Sequence, residues 1–400
     1  MPPCVLRPMK NFVKSLSNKI GKRGLALIAV NAALIIAAAV CFGALSSLSR
    51  LLPSQLAAAR WQGGSDTPYT QLSAFIPVDE RFTLNAVASL REELSKALHE
   101  AALDVASEDI LFVDAWSAKE KVGVSSALGK GDVYATAVGG EFFTFHPITL
   151  ISGSYISASD LMQDRALLDE ETAWLLFGGT DIQGMTFKIN GVPFVVAGVI
   201  EREQDFATRL AYTDGMGIFI SYDALQGLAS ASASAAASDS ASADAASASA
   251  ASDVGIECYE LVMPDPVEGF ALGFLREKFP IKTAELVSNS DRFSVSSLWQ
   301  VVKSFTTRAM QTRGVVYPYW ENAARCVEGR GALLVICAFA ALILPACCAL
   351  YYSVRLCIMA KRALEQRLLP RWRDELAEAI RVRQRARWER RHDKSTRAGE

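Results

Sequence analysis

Apolar residues recur along the chain in three rhythms. Two long runs carry no charge at all: 26 residues from Gly24 to Ser49 and 24 residues from Gly331 to Val354. About 20 apolar residues cross a bilayer core as a helix, so both runs predict membrane spans. A cleavable signal peptide is the rival reading of the first, with Leu56 to Arg60 supplying small residues, but the apolar core exceeds the roughly 7–15 residues of such peptides. That length favours an uncleaved anchor. The second run contains Pro345, which a membrane helix tolerates where neighbours re-satisfy the freed carbonyl; a buried core helix is its bland alternative.

Between the runs the rhythm shortens. "QLSAFIP" (Gln71 to Pro77) alternates as a strand, and Leu84 to Val105 sets Val87, Leu90, Leu94, Leu98, Ala101 and Val105 at helical spacing. "DILFVDAW" (Asp109 to Trp116) reads as a second strand. The same order returns as "CYELVMP" (Cys258 to Pro264), "GFALGFLREKF" (Gly269 to Phe279) and "TAELVSN" (Thr283 to Asn289). The pattern predicts an α/β (α+β) domain in which two βαβ-like units, about 66–117 and 255–292, bracket an inserted α/β subdomain at about 118–227. A helical return is expected over 293–330.

The inserted part contains "DEETAWLLFGGTDIQGMTFKINGVPFVVAGVI", Asp169 to Ile200. Asp169 can cap a helix whose Ala173, Leu176 and Phe177 face inward, and Gly178-Gly179 ends it. Phe187 and Ile189 alternate on one side of Asn190-Gly191, and Val192, Phe194 and Val196 on the other, a hairpin signal. Phe177, Gly178, Gly191 and Phe194 are therefore expected in core architecture. "LASASASAAASDSASADAASASAASD" (Leu228 to Asp253) has no large apolar residue after Leu228, so 228–253 is expected to be a disordered insertion. An Ala-rich helix is the rival, weakened by frequent Ser and Asp.

Charge adds orientation. The chain is 51% hydrophobic with 21% charged residues and a net charge of −2. Residues 1–23 carry six Lys/Arg and no acid, and residues 361–400 carry thirteen Lys/Arg against seven acids. The positive-inside rule then puts both termini in the cytoplasm and 50–330 outside. Within 1–23, Phe12 and Leu16 belong to an apolar stripe among lysines, as in a helix lying on the inner leaflet. Tyr317, Tyr319 and Trp320 precede the second span and suit an interfacial aromatic anchor, although packing against the outer domain explains them equally well. The tail 355–400 is Arg-rich, and anionic lipid or an acidic partner competes with a solvated charged helix. Nucleic-acid binding has nothing beyond charge behind it. Cys258 and Cys326 are the only cysteines of 50–330, and a disulfide between them is not implied.

Motifs that could carry chemistry are few. "GVSSALGKGD" (Gly123 to Asp132) imitates a phosphate loop, but the glycine spacing is one too long and Gly131 replaces the magnesium-holding Ser/Thr, so a plain turn is expected. His99, His146 and His392 lie in separate regions with no paired His/Cys spacing. Asp169-Glu170-Glu171 is explained by the helix dipole rather than by acid/base work. No catalytic residue, cofactor site or metal site is expected, and the chain reads as a non-enzyme.

The combination of "LLDEETAWLLFGG", "D..G....INGVPFVVAGVI" and the upstream "FFTFHPITLISGSYISASD" (Phe142 to Asp160) resembles the extracytoplasmic core domain of MacB-like proteins, the FtsX/MacB class of ABC-transporter permeases. The resemblance covers Gly24 to about Tyr352. It implies a split subdomain of two βαβ units enclosing an inserted α/β subdomain, a bacterial cell membrane location, and an ABC-type ATPase subunit in trans. Such permeases usually have four spans where this sequence offers two, so another permease chain or a second copy is a further expected partner, besides the lipid bilayer. The function so implied is a permease-type component of an ABC transport or mechanotransmission system without an ATPase of its own. A membrane-anchored extracytoplasmic sensor or interaction module is the alternative.

Overall fold

The structure, a computed structural model, describes residues 22–64, 67–101, 111–157, 160–212, 215–239, 254–304, 315–363 and 369–396. Phe12, Leu16 and the rest of the expected N-terminal amphipathic stretch up to residue 21 lie outside the described residues. The chain forms two compact units, one of residues 42–335 and one of residues 1–41 with 336–400.

The elements in chain order are α1 (Lys22–Leu48), a 3-10 turn (Pro53–Gln55), α2 (Ala57–Gln62), β1 (Tyr69–Phe75), α3 (Leu84–Glu100), β2 (Val113–Ser125), β3 (Lys130–Gly140), α4 (Phe142–Phe145), β4 (Leu150–Gly153) and β5 (Arg165–Asp169). Then come α5 (Glu170–Phe177), β6 (Thr186–Ile189), β7 (Val192–Ile200), α6 (Phe206–Ala211), β8 (Gly217–Ser221), α7 (Tyr222–Asp239), β9 (Cys258–Pro264), α8 (Phe270–Lys278), β10 (Glu285–Ser288), α9 (Val295–Lys303), α10 (Tyr319–Ala363) and α11 (Leu369–Thr396).

In the 42–335 unit the strands form a single sheet of order β10-β1-β9-β2-β3-β8-β5-β7-β4, with β6 bridging β2 and β7. β1 runs antiparallel to both β9 and β10, and β2 antiparallel to β9. The strand–helix–strand unit β1–α3–β2 thus holds β9 between its strands, and β9–α8–β10 holds β1 between its own. The two units interdigitate as split βαβ motifs, each supplying the other's central strand. The middle section is not set apart from them, because the same sheet runs on through it. β2 is the shared element: its first half pairs with β9 and its far end with β6. It extends to Ser125, beyond the end at Trp116 that the local pattern indicates, because β3 pairs with it antiparallel from Ala115 to Ser125.

Period-2 alternation sends the side chains of β9 to two faces. Tyr259, Leu261 and Met263 pack with Leu72 and Ala74 against α3 and α8, whose Val87, Leu90, Leu94, Leu98, Ala271 and Leu275 are buried. Cys258 and Val262 turn the other way, toward Phe75, Val113, Phe142 and Phe145. Asp169 caps α5 by accepting a bond from Thr172 N at 2.7 Å, and Gly178 closes it in the left-handed conformation at φ 73°. Asn190 (φ 48°) and Gly191 (φ 87°) form the hairpin turn, and Phe187 pairs with Phe194 across it. Ile189, Phe194 and Val196 are buried and Phe177 is partly so, whereas Val192 is exposed.

The expected disorder of 228–253 is corrected for its first part. α7 continues through Asp239, and residues 240–253 lie outside the described residues. Leu228 anchors the helix in the core, alanine carries the best helix propensity, and the serines Ser230 and Ser232 turn their hydroxyls back onto Gln226 O and Leu228 O, both at 2.9 Å.

In the other unit, the apolar part of α10 contains Pro345, and Asn31 of α1 donates to Leu27 O at 2.8 Å and to Cys348 Sγ at 3.6 Å. By length and composition α1 and α10 are both candidate spans.

Phe194→Ala removes a ring that is 3% exposed at the centre of the hairpin's inner face. The expected cost is about 3–5 kcal/mol of outer-domain stability in urea unfolding; a cost under about 1 kcal/mol would place the hairpin outside the core.

Candidate functional site

The residues that hold the root of α10 form the most highly charged buried cluster among the described residues. Pro318 precedes the helix and its carbonyl accepts from Glu321 N and Asn322 N, each at 3.1 Å. Helical spacing then puts Trp320, Ala323, Ala324 and Val327 into the outer unit's core, and Glu321, Arg325 and Glu328 on one side at i, i+4 and i+7.

Arg292, in the loop after β10, meets that side. Its guanidinium is bidentate to Glu321 at 2.5 and 2.7 Å, bonds Glu328 at 2.7 Å and donates to Gln55 Oε1 at 3.1 Å. The Arg292 and Glu321 side chains are each 1% exposed. Burial alone would pull the Arg292 pKa down; the facing carboxylates of Glu321 and Glu328 reverse this and hold it above its ordinary value. Arg325 extends the network, bonding Glu321 and Glu285 at 2.7 Å each and stacking over the Tyr317 ring at 3.8 Å. The Tyr317 hydroxyl bonds the other oxygen of Glu285, and its pKa is pushed up to about 12 by burial and by that carboxylate.

The loop bearing Arg292 is itself registered on the sheet. Asn289 N donates to Gln71 O at 2.8 Å, and Asn289 Nδ2 donates to Ser73 Oγ at 2.8 Å. Gln71 Nε2 reaches back to Ser54 O at 2.7 Å. Arg292 therefore ties three segments together: the turn that follows α1, the loop after β10, and the first turns of α10. From Ser73 the polar track continues inward to Glu260 at 3.2 Å, and Glu260 pairs with His146. The His146 ring lies 4.5 Å from both Phe142 and Trp320. A crevice beside this cluster is lined by Lys119, Tyr134, Tyr212, Glu257, Tyr317 and Tyr319. Burial and the neighbouring Glu120 raise the Glu257 carboxyl to about 7.

Tyr317, Tyr319 and Trp320 thus belong to the outer unit's core. The expected interfacial anchor is corrected in favour of packing, because Tyr317 and Trp320 are 9% and 5% exposed and sit in the cluster of Phe75 and Phe142. Phe177, Gly178, Gly191 and Phe194 lie away from the joint, around α5 and its hairpin.

Asp169, besides its cap, accepts from Gly217 N at 2.7 Å and pairs with Arg202, while Glu170 is exposed. The loop resembling a phosphate cradle is the β2–β3 turn. The Gly129 N–H is spent on Ser126 Oγ at 3.1 Å, and a Cβ at Gly129 would sit 2.0 Å from Leu175 O, so close approach to α5 requires this glycine. Cys258 and Cys326 are free thiols, and no group of three metal-ligating side chains occurs among the described residues.

Sequence reasoning missed Arg292, Glu260 and the pairing of His146. The i, i+4, i+7 series of Glu321, Arg325 and Glu328 is a visible signal; Arg292 and Glu260 give none, since their partners lie 29 and 114 residues away.

The sequence model of the MacB-like periplasmic core domain matches residues 25–252. Among solved structures, the periplasmic region of MacB from Actinobacillus actinomycetemcomitans is 12% identical, with 58% of this chain and 92% of that chain covered at a TM-score of 0.38. The extracellular domain of the noncanonic ABC-type transporter YknZ from Gram-positive bacteria is also 12% identical, with 55% and 99% covered at a TM-score of 0.33. No curated protein matches the chain.

Two outcomes follow from the site. Arg292→Leu removes the partner of buried Glu328 and leaves buried Glu321 only Arg325, at an expected cost of about 3–5 kcal/mol, whereas replacing Arg292, Glu321 and Glu328 together by apolar residues costs less; urea unfolding of the two variants and the parent checks the order. Glu257 has an ordinary value of 4.5 and a folded value of about 7, so the folded state holds its proton more tightly. Its contribution is most favourable below pH 4.5 and declines as pH rises toward 7. Glu257→Gln should remove that decline and raise the Tm at pH 8 relative to the parent, with little relative change at pH 4.

Proposed function

Because the chain belongs to the MacB-like periplasmic core domain family, whose match covers more than half of it, we propose that it is the membrane-anchored, permease-type component of an ABC transport or mechanotransmission system. The family is transporter-related rather than enzymatic, and the outer domain with two candidate spans fits a cytoplasmic-membrane protein with an extracytoplasmic domain. In this reading both termini are cytoplasmic, as the basic ends of the chain favour. An ATPase subunit acts in trans, with another permease chain or a second copy completing the membrane part.

The observation that carries the mechanism is the ionic joint at the root of α10. A helix that left the outer domain through a loose linker would dissipate any displacement in that linker. Here the first turns of α10 are locked by Arg292 and Trp320 into the sheet's own core, and α10 is a single helix from Tyr319 to Ala363. Packed cores respond to displacement by discrete rearrangement rather than continuous deformation, so a shift of this helix would reach the outer domain as a rearrangement. Work done by nucleotide turnover on one side of the membrane would thereby become a change of shape on the other.

The test uses the full chain with its native cysteines replaced. A cysteine at Ser230 is expected to label from outside and one at Lys394 only after permeabilisation. The chain is also expected to co-purify with an ATPase whose ATP turnover changes labelling at Ser230. Outside labelling at Lys394 contradicts the topology. Correct topology with no ATPase and no response to ATP instead supports a membrane-anchored sensor or interaction module.

A further inference from the structure

Helix α11 follows α10 after a gap of five residues and is unlike the rest of the chain. Its first half is two-faced. Trp372, Leu376 and Ile380 recur at intervals of four residues, which sets them on one side of a helix, while Asp374, Glu375 and Glu378 fall on the opposite side. Trp372, Leu376 and Ile380 are 66%, 58% and 50% exposed. The second half changes character: Arg381, Arg383, Arg385, Arg387, Arg390 and Arg391 face a single acid, Glu389, within 11 residues.

We propose that α11 lies along the bilayer surface and binds anionic phospholipid headgroups. Position argues for it, because a helix that begins so soon after a spanning helix is held near the headgroup layer, where the surface potential of anionic lipid reaches about one Debye length. Chemistry argues for it as well. The aliphatic and indole side chains of the first half are suited to the acyl boundary, the three acids on the far side remain in water, and the arginines of the second half supply planar, bidentate donors for phosphate.

The course of the apolar stripe selects lipid over a second copy of the helix. Continued past Ile380, the stripe meets Arg383 and Arg387. A paired α11 would bury these like charges against one another, at a cost a coiled-coil seam does not bear. The same positions on a membrane face phosphates. Arg383 and Arg387 are exposed, so they are placed to do so.

The inference rests on the part of the functional reading in which α10 crosses the bilayer, and it is independent of the ATPase. Full-length protein is placed in nanodiscs, which open both bilayer faces to protease, so the side on which the tail emerges does not affect the outcome. Tryptic cleavage between Arg371 and Arg391 is expected to be about tenfold or more slower in discs of phosphatidylglycerol than in discs of phosphatidylcholine, with most of the difference lost in high salt. The double variant Trp372→Ser, Leu376→Ser, which leaves every tryptic site in place, is expected to be cleaved rapidly in both. Equal cleavage in the two lipids overturns the proposal. Protection of equal size in both, as contact with a second copy would give, overturns it too.

Discussion

The bidentate contact between Arg292 and Glu321, completed by Glu328, is the constraint around which the base of the outer domain is arranged. Two carboxylates and a guanidinium are almost fully removed from water there. Such a cluster is expensive to build and contributes little net stability over an apolar equivalent. Its consequence is geometric. The guanidinium fork accepts few arrangements of its partners, so the first turns of α10, the loop after β10 and the turn after α1 are held in one relation. Apolar packing of Ala323, Ala324 and Val327 would allow that helix to rotate or slide, and the ionic fork does not.

A polar track runs from the joint across the sheet. Asn289, Ser73, Glu260 and His146 carry hydrogen bonds from the joint across β1 and β9 to α4. The links run through Asn289 Nδ2, Ser73 Oγ and the Glu260–His146 pair, while the buried Asn289 Oδ1 and Trp320 Nε1 have no hydrogen-bond partner. Trp320 lies where the track, the aromatic cluster and the helix meet, and its ring contacts both Phe142 and His146. The helix root is therefore continuous with the domain interior in both its apolar and its polar contacts.

Much of this architecture could be read from the sequence where the signal is local. The Asp169 cap, the Gly178 stop, the Asn190-Gly191 turn and the helical spacing of Val87 to Leu98 each depend on residues a few positions apart. The interdigitation of β1 with β9 and β10 was not legible, because strand order depends on pairings between Phe75 and Cys258 or between Leu72 and Ser288, far apart in sequence. Leu228 to Asp239 reads as disorder on composition, yet the helix is seeded from β8 and pinned by Leu228. The candidate site was the least legible part. Tyr317 and Trp320 carry the same letters whether they face lipid or core, and only the fold of the loop containing Arg292 decides between them.

The central claim is that the root of α10 and the outer sheet form one cooperative unit. Hydrogen exchange of the full chain measures this directly at the amides of Ala323 to Glu328. If the joint holds, they open with the same free energy as the amides of β1 and β9, and Arg292→Leu lowers both together. Exchange at Ala323 to Glu328 through local fraying, many-fold faster than in β1 and β9, would contradict the account.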